Sequence, residues 1–302
     1  MSDNSSEWPL FADLPDGWAM GVFGSDDVLG CLNKADASAV ITAAQLVRDG
    51  AVFSLSARMN WPSPTLYRRK APEHHIITTE AGNHDEWLDS FYPQASSQWD
   101  GFLHVCDGER GFYNEMEPEQ LGVESWGRRG IVGRGVLLDI QRWRRNVGHQ
   151  IRWTDREEVA ADELQECAAS QGVEIQEGDI LLVRFGWTSG YEAADETVRS
   201  GLGTHPPSPG LKAAQSTAAL LWDWGISAIA ADNPALEAWP PGDDFLHTRL
   251  LPRLGLPIGE LWWLDELDGA CAADQRYDML LSAAPLVLPG GVGSSANALA
   301  IR

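Results

Sequence analysis

Two histidines in this chain each lie near a carboxylate in an otherwise apolar stretch. Asp100 precedes His104 by four residues in the segment 98–104, which reads QWDGFLH. Glu260 follows His247 by 13 residues, across a predicted helix at 244–254 and a turn. Two carboxylates and two imidazoles from separate segments can hold zinc or manganese and leave one position open for water. The spacing therefore points to a metal site built from distant parts of the chain.

Other sequence motifs that carry chemistry are absent. The chain has no GxSxG nucleophile elbow, no GxxxxGK[ST] phosphate loop and no HExxH helix. The glycine-rich segment 289–295 lacks the lysine of a phosphate loop, and we interpret it as a tight turn that returns the last strand. The segment 232–234, Asp-Asn-Pro, follows a predicted strand and is equally typical of a ligand contact and of a turn.

The charge of the chain excludes several classes of partner. Among 302 residues, 22 are Lys or Arg and 44 are Asp or Glu, which gives a net charge of −22. Such a field repels nucleic acid and anionic membrane surfaces, so we expect neither as a partner. The chain has no apolar run of about 18 residues and its start lacks the basic and apolar regions of a signal peptide. We therefore expect a soluble, cytoplasmic protein.

The cysteines and tryptophans give weaker indications. The four cysteines show no CxxC spacing, and we expect them to be reduced and mostly buried. The 14 tryptophans favour core and subunit contacts, although some can line an aromatic substrate pocket.

The pattern of elements predicts one α/β domain with an N-terminal extension. A helix is predicted from Asp36 to Gly50, because apolar residues there fall at helical spacing. Short apolar runs predict five strands, at 52–55, 136–140, 180–185, 226–231 and 278–284, and helices are predicted at 155–170 and 211–224. This alternation favours an α/β class with a mixed sheet. Long loops between residues 60 and 130 are where functional residues are expected.

Several segments together resemble a known family. They are residues 24–33, 98–105, 178–184, 231–234, 247, 259–261 and 284–294, which span nearly the whole chain. The chain is similar to the cyclase family of metal-dependent hydrolases, which includes bacterial kynurenine formamidase and isatin hydrolase, and most of all to its longer members. The resemblance implies a cyclase-like swivelling β/β/α fold, with residues 1–50 as an extension wrapping a catalytic domain at 51–302.

The family's metal signature locates the expected site residues. It reads His-x-Gly-Thr-His-x-Asp-x-Pro-x-His, and the aligned stretch 94–104 here reads QASSQWDGFLH. By resemblance, Asp100 is a metal ligand together with His247 and Glu260, and His104 is the catalytic acid/base. Glutamines replace both early histidines. Because an amide oxygen is a poorer zinc ligand than imidazole, we expect at most one metal, zinc or manganese, per subunit.

The glutamines suit a different role from metal binding. We assign Gln94, Gln98 and Trp99 to substrate binding, with the two amides orienting a carbonyl or carboxylate and Trp99, like Trp61 and Trp187, able to stack on a flat group. Residues 98 and 100 are expected on one face of a strand, and 104 with them if the strand continues that far.

The resemblance implies hydrolysis of a C–N or C–O bond in a small, cyclic or aromatic amide, lactam or lactone. A homo-oligomer, dimer or tetramer, is also implied. Two alternatives stay open because the glutamines remove the best metal anchors: metal-free lyase, dehydratase or lactonase chemistry by His104 with Asp100, and a catalytically silent protein that binds small molecules.

Overall fold

The computed structural model describes residues 8–108 and 110–302. Its strands in chain order are Val52–Ser54 (β1), Glu73–Thr78 (β2), His84–Asp89 (β3), Gln98–Asp100 (β4), Ile131–Asp139 (β5), Glu158–Val159 (β6), Ile180–Arg184 (β7), Gly210–Leu211 (β8), Ala228–Ala231 (β9), Ile258–Glu260 (β10), Asp278–Ala283 (β11), Gly293–Ser295 (β12) and Ala298–Ile301 (β13).

The α-helices are short and separate most of these strands. They are Ala37–Ala44 (α1), Glu124–Arg129 (α2), Ile140–Asn146 (α3), Ala161–Gln171 (α4), Trp187–Ala193 (α5), Glu196–Gly201 (α6), Gln215–Asp223 (α7), Leu246–Thr248 (α8) and Asp265–Asp274 (α9). Within the described residues, no helix is long and apolar enough to cross a membrane.

Nine of the described strands form one mixed sheet, in the order β1-β13-β11-β5-β7-β9-β10-β4-β12. Its middle strands, β5, β7, β9 and β10, pair in parallel, and the strands on both sides pair antiparallel. The middle strands are fully buried at Val136–Leu138, Ile180–Val183 and Ala228–Ala231. Such continuous apolar runs are typical of parallel strands that are covered on both faces. The predicted α/β class with a mixed sheet is therefore confirmed.

Two helices begin later than predicted, for one shared reason. The chain at Glu158–Val159 pairs in parallel with Gly210–Leu211, so the residues just before α4 and α7 are extended. The predicted start of α4 at residue 155 was therefore wrong. Helix α4 begins instead after Ala160, whose backbone N–H donates to Glu163 at 2.9 Å.

The segments 244–254 and 60–130 also differ from expectation. The first begins as α8 and continues as a π-helix at Arg249–Arg253, which contains Pro252. The second holds a two-stranded hairpin of β2 and β3 that pairs with no other strand in the described residues. Nearly every hairpin residue is exposed, including Ile76 and Trp87.

The cysteines fit their expected state. Cys31, Cys167 and Cys271 are buried, Cys106 is exposed, and all four are free. Burial raises the pKa of the Cys31 and Cys271 thiols to about 12, and it raises the pKa of Cys167 as well. The prediction that the cysteines are mostly buried is thus confirmed.

Candidate active site

Two neighbouring strands place the first site residues on one face of the sheet. Strand β4 pairs antiparallel with β10, so that Gln98 lies directly opposite Glu260 and Asp100 opposite Ile258. Because side chains alternate along a strand, Gln98 and Asp100 project to the same side as Glu260. All three side chains are buried.

The amide of Gln98 ties the two carboxylates together. Its Nε2 donates to Oε2 of Glu260 at 2.6 Å and approaches both carboxylate oxygens of Asp100 at 3.3 and 3.4 Å. Its Oε1 is buried and has no hydrogen-bond partner among the residues that the structure describes. Gln98 therefore acts here as a donor to the acidic residues, and its amide oxygen stays unpaired.

His104 reaches this group through a turn. Strand β4 ends at Asp100, and the backbone N–H of His104 donates to the carbonyl of Gly101 at 2.9 Å. The turn folds the chain back so that Nε2 of His104 lies 3.8 Å from Oδ1 of Asp100. The expected shared face of residues 98 and 100 is present, but His104 joins them through this turn and not through an extended strand.

His247 comes from helix α8 and is held on both ring nitrogens. Nε2 lies 3.0 Å from Oε1 of Glu260 and 3.9 Å from Oδ2 of Asp100. Nδ1 lies 2.8 Å from Oε2 of Glu237, which also accepts the backbone N–H of Leu246 through Oε1 at 3.2 Å. The structure thus brings Asp100, His104, His247 and Glu260 together, although 160 positions separate the first and last of them.

Burial and neighbouring charges set the protonation of these groups. Burial and the nearby Asp100 raise the pKa of Glu260 to about 7, against the opposing effect of His247. Burial alone would lower the pKa of His247, but Glu237 and Glu260 outweigh it and hold that pKa well above its usual value. Asp100 favours the charged form of His104, yet burial and the charge of His247 together lower the pKa of His104.

The donor atoms fit one divalent ion. Single ligand atoms of Asp100, His104 and His247 all lie within 4.8 Å of one another, and Glu260 adjoins them through His247. Two ligands about 2.1 Å from a tetrahedral ion are themselves about 3.4 Å apart, close to the spacings found here. The hydrogen bond between Nδ1 of His247 and Glu237 leaves Nε2 as the ring nitrogen that would face a metal ion.

Gln94 lies in a short 3-10 turn, Pro93–Ala95, and its amide lies against Gly293 of the neighbouring strand β12. Gly293 pairs with Asp100, and a Cβ atom added at Gly293 would meet Nε2 of Gln94 at 2.5 Å. The missing side chain of Gly293 therefore leaves the room that the Gln94 amide occupies. The glycine-rich segment 289–295, interpreted as a tight turn, ends in this strand.

Trp99 does not share the face of its neighbours. It is fully buried, it pairs with Gly259, and its ring makes an edge contact with Trp262 at a centroid distance of 4.8 Å. Trp61 and Trp187 are buried in a second apolar cluster with Tyr191. Strand alternation thus directs Trp99 into the core, away from Asp100.

Sequence reasoning missed three residues near this group. Glu237 carries no motif, and its role is visible only once the loop after β9 folds back onto α8. Tyr67 and Arg69 come from a loop: burial and the charge of Glu260 raise the pKa of Tyr67, and the charge of Arg69 acts to lower the pKa of Glu260. Asn233, by contrast, serves the turn: its Nδ2 donates to the carbonyls of Pro209, Leu236 and Glu237.

Comparisons with known proteins place the chain. A family model described as "Putative cyclase" matches residues 53–238. A crystal structure titled as a novel cyclase is 30% identical over 94% of this chain and 99% of that chain, with a TM-score of 0.84. The chain belongs to the cyclase family. The expected cyclase-like fold is therefore confirmed.

Isatin hydrolases share the fold of this cyclase-family chain. Isatin hydrolase A from Labrenzia aggregata, solved with benzyl benzoate, is 17% identical, covers 85% of this chain and 94% of its own, and has a TM-score of 0.59. An isatin hydrolase bound to the product analogue thioisatinate is 20% identical, covers 88% of this chain and 98% of its own, and has the same TM-score. No curated protein matches the chain.

Proposed function

We propose that this cyclase-family chain is a metal-dependent hydrolase that opens an amide, lactam or lactone bond in a small cyclic or aromatic metabolite. The convergence of Asp100, His104, His247 and Glu260 on one buried spot carries the proposal. The neighbours that share its fold include isatin hydrolases, one of them bound to a product analogue, which supports a cyclic substrate.

Each residue has a role that its geometry allows. Asp100, His247 and Glu260 would hold one zinc or manganese ion, with Glu237 fixing the ring of His247. Such an ion lowers the pKa of bound water toward neutrality and polarises a carbonyl. Gln94 orients the substrate carbonyl, and the unpaired Oε1 of Gln98 is free to accept a hydrogen bond from a substrate N–H.

His104 moves the proton. Its side chain is the most accessible of the four, with 25% of its surface exposed, so substrate can reach it. Because its pKa is lowered, the ring of His104 is neutral at neutral pH and can accept a proton before passing it to the leaving group. Asp100, 3.8 Å away, then stabilises the imidazolium that forms.

The test compares three histidine variants on isatin, formanilide and a simple lactone, with Zn²⁺ or Mn²⁺ added and metal content measured. His104→Ala is expected to lower kcat by about 10²- to 10⁴-fold while keeping the metal. His247→Ala should lose the metal. His149→Ala, which removes an exposed histidine bonded to Glu157, should behave as the wild type.

Two outcomes would contradict the assignment. Activity of His104→Ala within threefold of the wild type removes His104 from the mechanism. Loss of metal from the same variant would mean that His104 is itself a metal ligand, together with Asp100 and His247.

One observation favours a metal-free alternative. The Gln98 amide already donates a hydrogen bond to Glu260 and approaches both carboxylate oxygens of Asp100. These carboxylates therefore have a hydrogen-bond donor without an ion. In that case His104 and Asp100 carry out lyase, dehydratase or lactonase chemistry. Turnover that survives exhaustive chelation would support this alternative, and a protein that binds such compounds without turnover would be a silent binding protein.

A further inference from the structure

The site is unusually rich in negative charge for a chain that must bind a small molecule. Asp100, Glu237 and Glu260 are all buried within the same group of contacts. Such a site attracts a cation and repels an anionic substrate, unless a fixed positive charge stands beside it. Arg69 supplies that charge.

Arg69 lies in a loop that is held tightly against the protein. The backbone N–H of Tyr67 donates to Thr204 at 2.6 Å, and the hydroxyl of Thr65 donates to the carbonyl of Arg69 at 2.6 Å. Tyr67 and Arg68 have positive φ angles of 54° and 58°. This backbone region is unfavourable for residues with a side chain and is maintained only where its surroundings enforce it.

The guanidinium of Arg69 is placed at the edge of the site and is not paired with an acid. One of its Nη1 hydrogens is donated to the backbone carbonyl of Gln94, and its Cζ lies 5.1 Å from the centre of the Tyr67 ring. Within residues 8–108 and 110–302, no carboxylate oxygen lies within 4.0 Å of it. Its remaining N–H donors are therefore available to a ligand.

Tyr67 brings a hydroxyl to the same place. Its ring makes edge contacts with His205 and Trp239, and its hydroxyl has only a long 3.5 Å contact with the carbonyl of Pro234. Burial, with the nearby Glu260, raises the pKa of Tyr67 well above its usual value, so the hydroxyl keeps its proton. The positive charge of Arg69 also reaches the site, where it acts to lower the pKa of Glu260 and the pKa of His104.

We propose that Arg69, together with the hydroxyl of Tyr67, binds a carboxylate of the substrate, so that the substrate class is an amide or ester that carries a carboxylate beside the bond to be cleaved. This inference rests on the proposed function for the cleaved bond only. Arginine suits the role because its planar fork matches a carboxylate with two parallel hydrogen bonds.

The binding test needs no turnover. Benzoate and benzamide, which differ in charge but little in shape, are titrated calorimetrically into the wild type and into Arg69→Gln, Arg69→Lys and Arg68→Gln, with metal content measured in each. Arg68 is the control because it neighbours Arg69 in the same loop and is exposed. The wild type should prefer benzoate. Arg69→Gln should weaken benzoate binding about 10- to 100-fold, Arg69→Lys less, and Arg68→Gln less than about twofold.

A hydrolysis test then separates this inference from the proposed function. The pair is formanilide and 2-formamidobenzoate, and the measured quantity is the ratio of their kcat/KM values. The ratio should favour 2-formamidobenzoate in the wild type and fall toward one in Arg69→Gln. An unchanged ratio, or benzoate binding that Arg69→Gln leaves unaltered, overturns the inference and leaves the hydrolase standing. If neither compound is cleaved but benzoate binding depends on Arg69, the carboxylate site stands and the hydrolase proposal fails.

Discussion

Glu237 shows how much of the site depends on a residue outside the expected set. Its two oxygens accept from two donors at once, Nδ1 of His247 and the backbone N–H of Leu246. A carboxylate can satisfy both, whereas an amide has only one oxygen to offer. The orientation of His247 toward Asp100 and Glu260 therefore rests on this one buried carboxylate.

Glu237→Gln should weaken metal binding about 10- to 100-fold while the protein remains folded, because outer partners of a histidine ligand have effects of this size. Competition with a chelating dye measures the affinity. Glu157→Gln is the matched control, since Glu157 lies 2.8 Å from Nε2 of His149 in a similar pair that is exposed. Equal metal affinity in Glu237→Gln and the control would show that Glu237 does not position the ligand.

The residues that the sequence could predict are those that belong to a motif. Asp100 and His104 lie in the stretch 94–104 that aligns with the family's metal signature, and His247 and Glu260 were placed by resemblance. Glu237 and Arg69 could not be found in this way, because their roles arise only when loops from distant segments meet. Strand alternation places Trp99 on the opposite face from Gln98 and Asp100, in the core. The assignment of Trp99 to substrate binding did not take this alternation into account.

At the scale of elements, buried charges gather where the parallel strands end. Arg184 closes β7 and contacts Asp139 at the end of β5 at 3.1 Å and Asp265 at the start of α9 at 2.7 Å. Asp232, just after β9, accepts the backbone N–H groups of Phe185 and Gly186 at 2.6 and 2.8 Å. Burial is the main cause that raises the pKa of Asp232 to about 7, against the charge of Arg184.

This raised pKa gives a pH dependence of known sign. Asp232 is protonated in the folded state up to about pH 7 but loses its proton near pH 4 when the chain is unfolded. The folded state thus binds the extra proton between these values, so this group's contribution to stability falls as pH rises. Between pH 5 and pH 8, the free energy of unfolding of the wild type should fall by on the order of 1–3 kcal/mol relative to that of Asp232→Asn.

Urea unfolding of both proteins at the two pH values measures this difference. Comparing the two proteins removes the general effect of the other titrating groups. A difference between them that is constant with pH would mean that Asp232 is ionised throughout the range.

The elements themselves were predictable where one residue pattern decides them. The buried strands at 180–184 and 228–231 are short apolar runs, and Asp36 caps α1 by accepting the backbone N–H of Ala39 at 2.8 Å. The start of α4 was not predictable, because it depends on the pairing of β6 with β8, which lies about 50 residues further along the chain. The hairpin of β2 and β3 was missed because its apolar residues, Ile76 and Ile77, are adjacent and do not alternate.

At the scale of the whole molecule, the hairpin of β2 and β3 stands apart, because in the described residues its strands pair only with each other. A two-stranded hairpin is at best marginally stable by itself in water, and large apolar patches on a surface often mark contacts with another protein. Ile76, Ile77, Trp87 and Leu88 are all at least 40% exposed here. We expect these residues to contribute to contacts between copies of the chain in the predicted homo-oligomer.

Replacing residues 73–89 by a four-residue Gly-Ser linker tests this expectation. The ends are close enough for the linker, because Glu73 pairs directly with Asp89. The melting temperature of a monomer should change little, since the hairpin buries few of its own side chains. Light scattering should show the full chain as a dimer or tetramer and the shortened chain as a smaller species. A full chain that is already monomeric would contradict the expectation.

Cys106 is exposed while the other three cysteines are buried, so the folded protein can be labelled selectively at Cys106. Only a thiolate attacks a disulfide reagent or maleimide, and burial both suppresses the thiolate and blocks access at Cys31, Cys167 and Cys271. Ellman's reagent should therefore release about one equivalent of chromophore per folded chain, and four equivalents in denaturant. Rapid reaction of all four in the folded protein would contradict the described burial. Because Cys106 follows His104 by two residues, a dye attached there becomes a fluorescent gauge of ligand occupancy, and bound ligand should slow its attachment.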